Sequence, residues 1–183
     1  MTLRLDPAKF RRDLRAKSVA FFALGQTVTV DDATIDALIV ESAAAGNRPA
    51  RICLHTMPDA DFHEMVVLER TGHYFPPHRH PFKGESLHVI EGQLAVFTFD
   101  DRGGVLTAAS LGRDGNIIAR VGANVWHFTL PLTDPVIYHE SKPGPFLGQR
   151  DRDFAPWAPR RTQVHDASDE YCAELLAKTG IVI

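Results

Sequence analysis

Between Pro49 and Ser141 the chain breaks into nine short segments of alternating apolar and polar residues, parted by turn signals and with no helical periodicity between them. They read as strands at Ala50 to His55, Glu64 to Arg70, Tyr74 to His80, Glu85 to Glu91, Leu94 to Phe99, Leu106 to Leu111, Ile117 to Val121, Val125 to Leu130 and Val136 to Ser141. Asp100-Asp-Arg-Gly-Gly104 is the strongest hairpin signal among them. Short consecutive strands without crossover helices fold as an antiparallel sandwich or barrel. The fold class is therefore mainly β.

Helices are expected only at the flanks. Asp6-Pro7 offers an N-cap and a proline at the first helical position, which predicts a short amphipathic helix over 8–17. Phe21 to Val30 reads as extended. Asp31 or Asp32 then caps a helix with Ile35, Leu38 and Ile39 on its apolar side and Gly46-Asn47 as its stop. After Lys142-Pro-Gly-Pro the chain turns irregular, and it closes on a helix over 167–178. These boundaries give a lead-in over 1–48, a barrel over 49–146 and a tail with a helix over 147–183, within one structural domain.

Composition narrows the function classes. At 183 residues, 44% hydrophobic and 23% charged, the chain is sized for one domain. A net charge of -3 without a basic run argues against a nucleic-acid partner. No apolar stretch approaches the roughly 20 residues of a membrane span, and the N-terminus lacks the apolar centre of a signal peptide. Cys53 and Cys172 are the two thiols, too few for a disulfide framework, so a reducing cytoplasm is expected.

The chemistry concentrates in Gly72-(x)5-His78-x-His80-(x)4-Glu85-(x)6-Gly92. On a strand, residues i and i+2 share a face, so His78 and His80 project together. The Pro81 to Gly84 turn folds the next strand back beside them, and there Glu85, Leu87 and Val89 share a face. His127, in Val125 to Thr129, is a fourth candidate. Three imidazoles and a carboxylate converging on one point suit a divalent transition metal: Fe, Mn, Ni, Co, Cu or Zn. Nine histidines in the chain would give about 0.4 His-x-His pairs by chance, but the added glutamate and flanking glycines lower the coincidence to about one in ten thousand.

The spaced set resembles the first motif of the cupin superfamily without a gap. Gly122-Ala-Asn-Val-Trp-His127 resembles the second, with Gly122 in place of a proline and Asn124 in place of a glycine. Pro77-His-Arg-His80, Ser141 to Phe146, Phe154 to Pro159 and the lead-in from Asp36 to His55 resemble WbuC-type cupin-fold metalloproteins. The resemblance implies a double-stranded β-helix, the cupin jelly-roll barrel, with flanking helices and His78, His80, Glu85 and His127 as metal ligands. It also implies a sugar or sugar-nucleotide ligand connected with surface polysaccharides, and a homodimer.

Other positions follow from alternation. Tyr74, Pro76 and Thr129 are expected to line the pocket, whereas Arg79, Trp126, His73 and His88 point away from it. Tyr138 and Glu140 should face inward with His139 outward, and His55 should line the barrel or sit at its rim. Tyr138, Glu140 and His55 are the candidates for a catalytic acid or base. Trp157 reads as an anchor for the tail, and His165 as solvated. Three functions remain open: a metal-dependent isomerase, epimerase or dioxygenase; a non-catalytic module that binds a small-molecule ligand; and a metal-stabilised scaffold.

Overall fold

The structure is a computed structural model, and it describes residues 4–16, 18–160 and 166–182. Its strands are β1 (Phe10–Arg12), β2 (Val19–Ala23), β3 (Ala50–Cys53), β4 (Phe62–Glu69), β5 (His78–Arg79), β6 (Glu85–Glu91), β7 (Leu94–Phe99), β8 (Val105–Leu111), β9 (Ile118–Val121), β10 (Trp126–Pro131), β11 (Val136–Pro143) and β12 (Asp153–Phe154). Helix α1 (Asp32–Ala44) lies between β2 and β3, and α2 (Asp166–Thr179) near the C-terminus. Two sheets form, in the orders β1-β2-β3-β4-β11-β6-β9 and β12-β5-β10-β7-β8. Among the described residues the named strands pair antiparallel except β2 with β3, which α1 connects. A parallel pair needs such a crossover, because a tight hairpin cannot join strands running the same way.

Alternation along the strands builds three apolar layers. Leu87, Val89, Leu94, Val96, Leu111, Val121, Val136 and Tyr138 fill the space between the sheets. On the outside of the larger sheet, Val66, Leu68, Ile52 and Ile137 meet Ile35 and Leu38 of α1. Asp31 caps that helix, its carboxylate accepting from the Thr34 backbone N–H at 2.9 Å. On the outside of the smaller sheet, Phe97, Phe99, Trp126 and Phe128 are covered by the tail and by Leu175 of α2. Trp157 packs 5.0 Å from Phe99 and 6.4 Å from Trp126, as an anchor should.

One expected element is replaced by another. Residues 8–12 form a turn and β1 instead of a helix. Phe10 alone of its strand is buried, and β1 pairs in register with β2 from Phe10↔Ala23 to Arg12↔Phe21. Arg11 and Arg12 lie over the rings of Phe22 and Phe21 at 5.7 and 5.6 Å. Phe10 and Leu14 are the two large apolar side chains such a helix could bury, whereas the hairpin buries Phe10, leaves Leu14 exposed and gains backbone hydrogen bonds and two cation–π contacts. The expected strand Tyr74 to His80 also shrinks to two residues, since Pro76 and Pro77 donate no ladder hydrogen bonds.

Buried Tyr138 meets a half-buried carboxylate on the neighbouring strand. Tyr138 donates to Glu69 Oε1 at 3.0 Å. Burial, only partly offset by that hydrogen bond, pushes the Glu69 carboxyl up to about 7 from 4.5. The folded state then holds this proton up to about pH 7, while the unfolded chain releases it near 4.5. Stability from this group is therefore full below about pH 4.5 and is lost as pH rises through 7, by at most about 3 kcal/mol. Glu69→Gln keeps the acceptor and removes the titration. It should be more stable than the parent at pH 8 and show a flatter profile from pH 5 to 8 in denaturant titrations. An unchanged pH slope would refute this account.

Candidate metal centre

The second sheet brings the three histidines together. His127 on β10 is the register partner of His78 on β5, and the turn after His80 returns the chain into β6 at Glu85. Asn124 holds the turn before β10 with a positive φ of 62°, and its N–H donates to the His80 carbonyl at 2.8 Å. Asparagine tolerates this backbone better than most residues, so it serves where the resembled motif carries glycine. Ligand nitrogens of His78, His80 and His127 all lie within 4.8 Å of one another. Glu85 Oε1 is 3.0 Å from His127 Nε2, and its Oε2 is 3.3 Å from His80 Nε2. His80, His127 and Glu85 are buried.

Each imidazole is oriented by a carbonyl. Nδ1–H of His78 donates to Pro76 O at 3.2 Å, that of His80 to Asp151 O at 2.6 Å and that of His127 to Val125 O at 2.9 Å. A carbonyl can only accept, so the proton sits on Nδ1, and in the neutral ring Nε2 carries the lone pair. This outer support is the usual arrangement behind a metal-bound histidine. In the neutral tautomer the Nε2 lone pairs of His80 and His127 would face carboxylate oxygens, acceptor against acceptor. His127 Nε2 is buried and makes no aligned hydrogen bond. A cation between these atoms, whether a proton on the ring or a metal ion, relieves both conflicts. The donor set fits a metal ion.

The charges around it are mutually dependent. Burial alone would raise the Glu85 carboxyl, but contacts with His127 and His80 and the Lys142 charge hold it well below its usual range. Burial pulls His127 down, yet the Glu85 carboxylate outweighs it and leaves the imidazole raised. His78 is held well below its usual range, chiefly by burial and then by the charge of His127.

Inward-facing β11 residues continue the site. Tyr138, Glu140 and Lys142 share one face, with His139 on the other, where it lies 3.6 Å from Glu64. Lys142 Nζ is 2.5 Å from Glu140 Oε1 and 3.6 Å from Glu85 Oε2. Burial opposes its charge, but these two carboxylates keep its pKa above the ordinary value. Of the proposed acid–base candidates, Glu140 thus connects to Glu85 through Lys142, while Tyr138 is engaged with Glu69. His55 sits beyond the end of β3, stacked on His63 at 4.1 Å. Burial and the neighbouring His63 lower its pKa to about 4, so it is neutral at pH 7.

Tyr74 does not line the pocket. Its hydroxyl donates to Pro159 O at 3.0 Å, and its ring packs on Phe128 and Tyr171 on the outer face. The irregular Pro76-Pro77 backbone breaks the alternation that predicted otherwise. Arg79 points outward as expected, 4.3 Å over the Trp126 ring and 3.2 Å from Asp153.

Three residues beside the centre escaped the sequence reading: Lys142, Lys83 and Asp151. Lys83 pairs with Asp151 Oδ1 and donates to Pro145 O at 2.5 Å. Burial would raise the Asp151 carboxyl, but the Lys83 contact and the Leu147 N–H hold it below the ordinary value. The tail thus reaches the centre: Asp151 supplies the His80 acceptor, and β12 pairs with β5, Phe154 opposite His78. His165 lies outside the described residues.

Known proteins place this architecture. A family model described as a domain of unknown function, DUF6016, matches residues 30–111. The capsular polysaccharide assembling protein CapF from Staphylococcus aureus superposes with a TM-score of 0.50 at 16% identity, over 70% of this chain and 31% of that one. The barrel is a cupin jelly roll. L-Ribose isomerase from Cellulomonas parahominis aligns over 59% of this chain and 69% of its own, at 14% identity and a TM-score of 0.48. Oxalate decarboxylase from Bacillus subtilis aligns over 58% and 27%, at 12% identity and 0.46. The chain spans less than a third of the CapF and oxalate decarboxylase chains. No curated protein matches its sequence.

Proposed function

We propose that this chain is a mononuclear metal-binding cupin. His78, His80, His127 and Glu85 hold one divalent transition ion, and the site binds or transforms a small oxygen-rich ligand. The observation that carries this reading is the facing of the Nε2 atoms of His80 and His127 on Glu85 oxygens while their Nδ1–H groups are committed to carbonyls. When bound, such an ion supplies Lewis-acid polarisation or oxygen activation. The chain's own residues orient the imidazoles and place the Lys142–Glu140 pair beside the ligands. A purely structural metal would need no such buried ion pair at its edge, which favours ligand handling.

Glu140 is the proposed proton-handling group, with Tyr138 and His55 as supporting candidates. The sugar or sugar-nucleotide class of ligand rests on the sequence resemblance, as do the homodimer and the single-domain division at 1–48, 49–146 and 147–183. A cytoplasmic location belongs to the same reading. No helix among the described residues is long and apolar enough to cross a membrane.

Elemental analysis of tag-free protein tests the proposal. About one equivalent of a transition metal per chain is expected, lost in a folded His78→Ala/His80→Ala variant. Folded wild-type protein that takes up no metal on titration would overturn it. Once loading is established, turnover separates an enzyme from a non-catalytic binding module.

A further inference from the structure

Beside the imidazoles the centre carries four formal charges. Glu85 and Glu140 are negative, and Lys142 lies against both, at 3.6 and 2.5 Å. The fourth is Arg152, in the tail segment just before β12. Its guanidinium lies 5.2 Å over the Phe75 ring, which stands edge-on to His78 with centroids 5.1 Å apart. Its charge is felt at both His78 and Lys142. The neighbouring Lys83–Asp151 pair cancels within itself. With the imidazoles neutral, as metal ligands must be, two carboxylates offset two cations and the protein's own charges at the centre sum to zero.

A divalent ion held there would leave two positive charges uncompensated. His80, His127 and Glu85 are 2%, 2% and 6% exposed, and the Lys142 side chain 12%, so bulk water screens them poorly. An unpaired charge in such surroundings is costly, and a bound metal ion is the largest local charge in its site. We infer that the ligand completing this site is a small anion bearing a carboxylate or phosphate group, which the metal, Lys142 and Arg152 receive together. Phe75 and Phe154, packed against each other at 5.6 Å beside His78, form an apolar wall for its carbon skeleton. This inference rests on the metal reading above and narrows its ligand class from oxygen-rich to anionic.

Protein loaded with Co2+ provides the test, with the visible spectrum and calorimetry as readouts. Glycolate, inorganic phosphate and neutral ethylene glycol are the probes. At least one of the two anions should bind about tenfold or more tighter than the neutral diol, and the stronger one identifies the carboxylate or phosphate class. Metal-free protein should show no such preference. Lys142→Met should weaken the preferred anion by about tenfold or more while Co2+ content is kept, because removing a cation beside the ligands cannot repel the metal. Arg152→Met, at a partly exposed position, should act in the same direction and covers the case in which the lysine variant fails to fold. Equal binding of ethylene glycol and the anions, equal anion binding with and without metal, or undiminished affinity in the folded variants overturns the inference alone. Failure of the wild-type protein to take up Co2+ overturns the metal reading and this inference with it.

Discussion

Lys83→Met should destabilise the protein by about 3–5 kcal/mol and weaken metal retention at the same time. Lys83 and Asp151 are 6% and 3% exposed, so removing the ammonium leaves a carboxylate buried without its cation. The Leu147 N–H at 3.3 Å is a weak substitute. That carboxylate would also be left 3.7 Å from His80 Nδ1. Through Pro145 O, the ammonium also holds the tail against the turn between His80 and Glu85. Once the tail loosens, the Asp151 carbonyl that orients His80 loosens with it. For a chain of this size the melting temperature should fall by roughly 10 °C. A Lys83→Met/Asp151→Leu variant should recover much of the stability, since exchanging both partners of a buried pair for apolar groups is often close to neutral. Metal affinity should recover less, because the recovered contact no longer fixes the Asp151 backbone through the lysine. A single variant within about 1 kcal/mol of wild type would show that the pair is not a structural tie.

The contrast between what sequence revealed and concealed follows from the range of the interactions. Bounds for β6 and β7 match expectation residue for residue, because β6 alternates cleanly, β7 is a short apolar run buried on both faces, and Gly92 separates them with a φ of 79°. An alanine Cβ there would stand 2.9 Å from the Pro135 carbonyl oxygen, so both conformation and space call for glycine. His78, His80 and Glu85 were legible for the same reason, being set by period-two geometry across one turn. Lys142 was within reach: it continues the Tyr138, Glu140 alternation, but the expected strand stopped at Ser141, short of the observed Pro143. The Lys83–Asp151 pair was not, because its partners are 68 residues apart and no local pattern links them. The N-terminal segment misled through its caps. Asp6-Pro7 does shape a turn, with the Asp6 carboxylate accepting from the Ala8 N–H at 2.8 Å, but β2 then captures Phe10–Arg12 as a strand. Local signals identified an initiation site, and tertiary pairing chose the element.

Gly144→Ala should be as disruptive as the loss of Lys83, for a steric reason instead of an electrostatic one. Gly144 comes directly after β11, where Pro143 pairs with Phe62 at the start of β4, and its N–H donates to Asp61 O at 2.8 Å. A Cβ at this position would stand 1.7 Å from the Ala60 carbonyl oxygen and 2.9 Å from its carbon. Both are backbone atoms, so no side-chain rotation relieves the overlap. The two segments must separate, at a cost of about 3 kcal/mol or more. Separation would break the Asp61 hydrogen bond and displace Pro145, whose carbonyl receives Lys83. The same added atom meets His63 Cδ2 at 3.0 Å, disturbing the ring on which His55 is stacked. Thermal unfolding and tryptic cleavage between residues 143 and 153 should therefore change together, with cleavage rising before global unfolding. If the alanine variant melts within about 2 °C of wild type and resists protease equally, the backbone approach at Ala60 is not tight, and the tail is held to the centre by Lys83 and Asp151 without it.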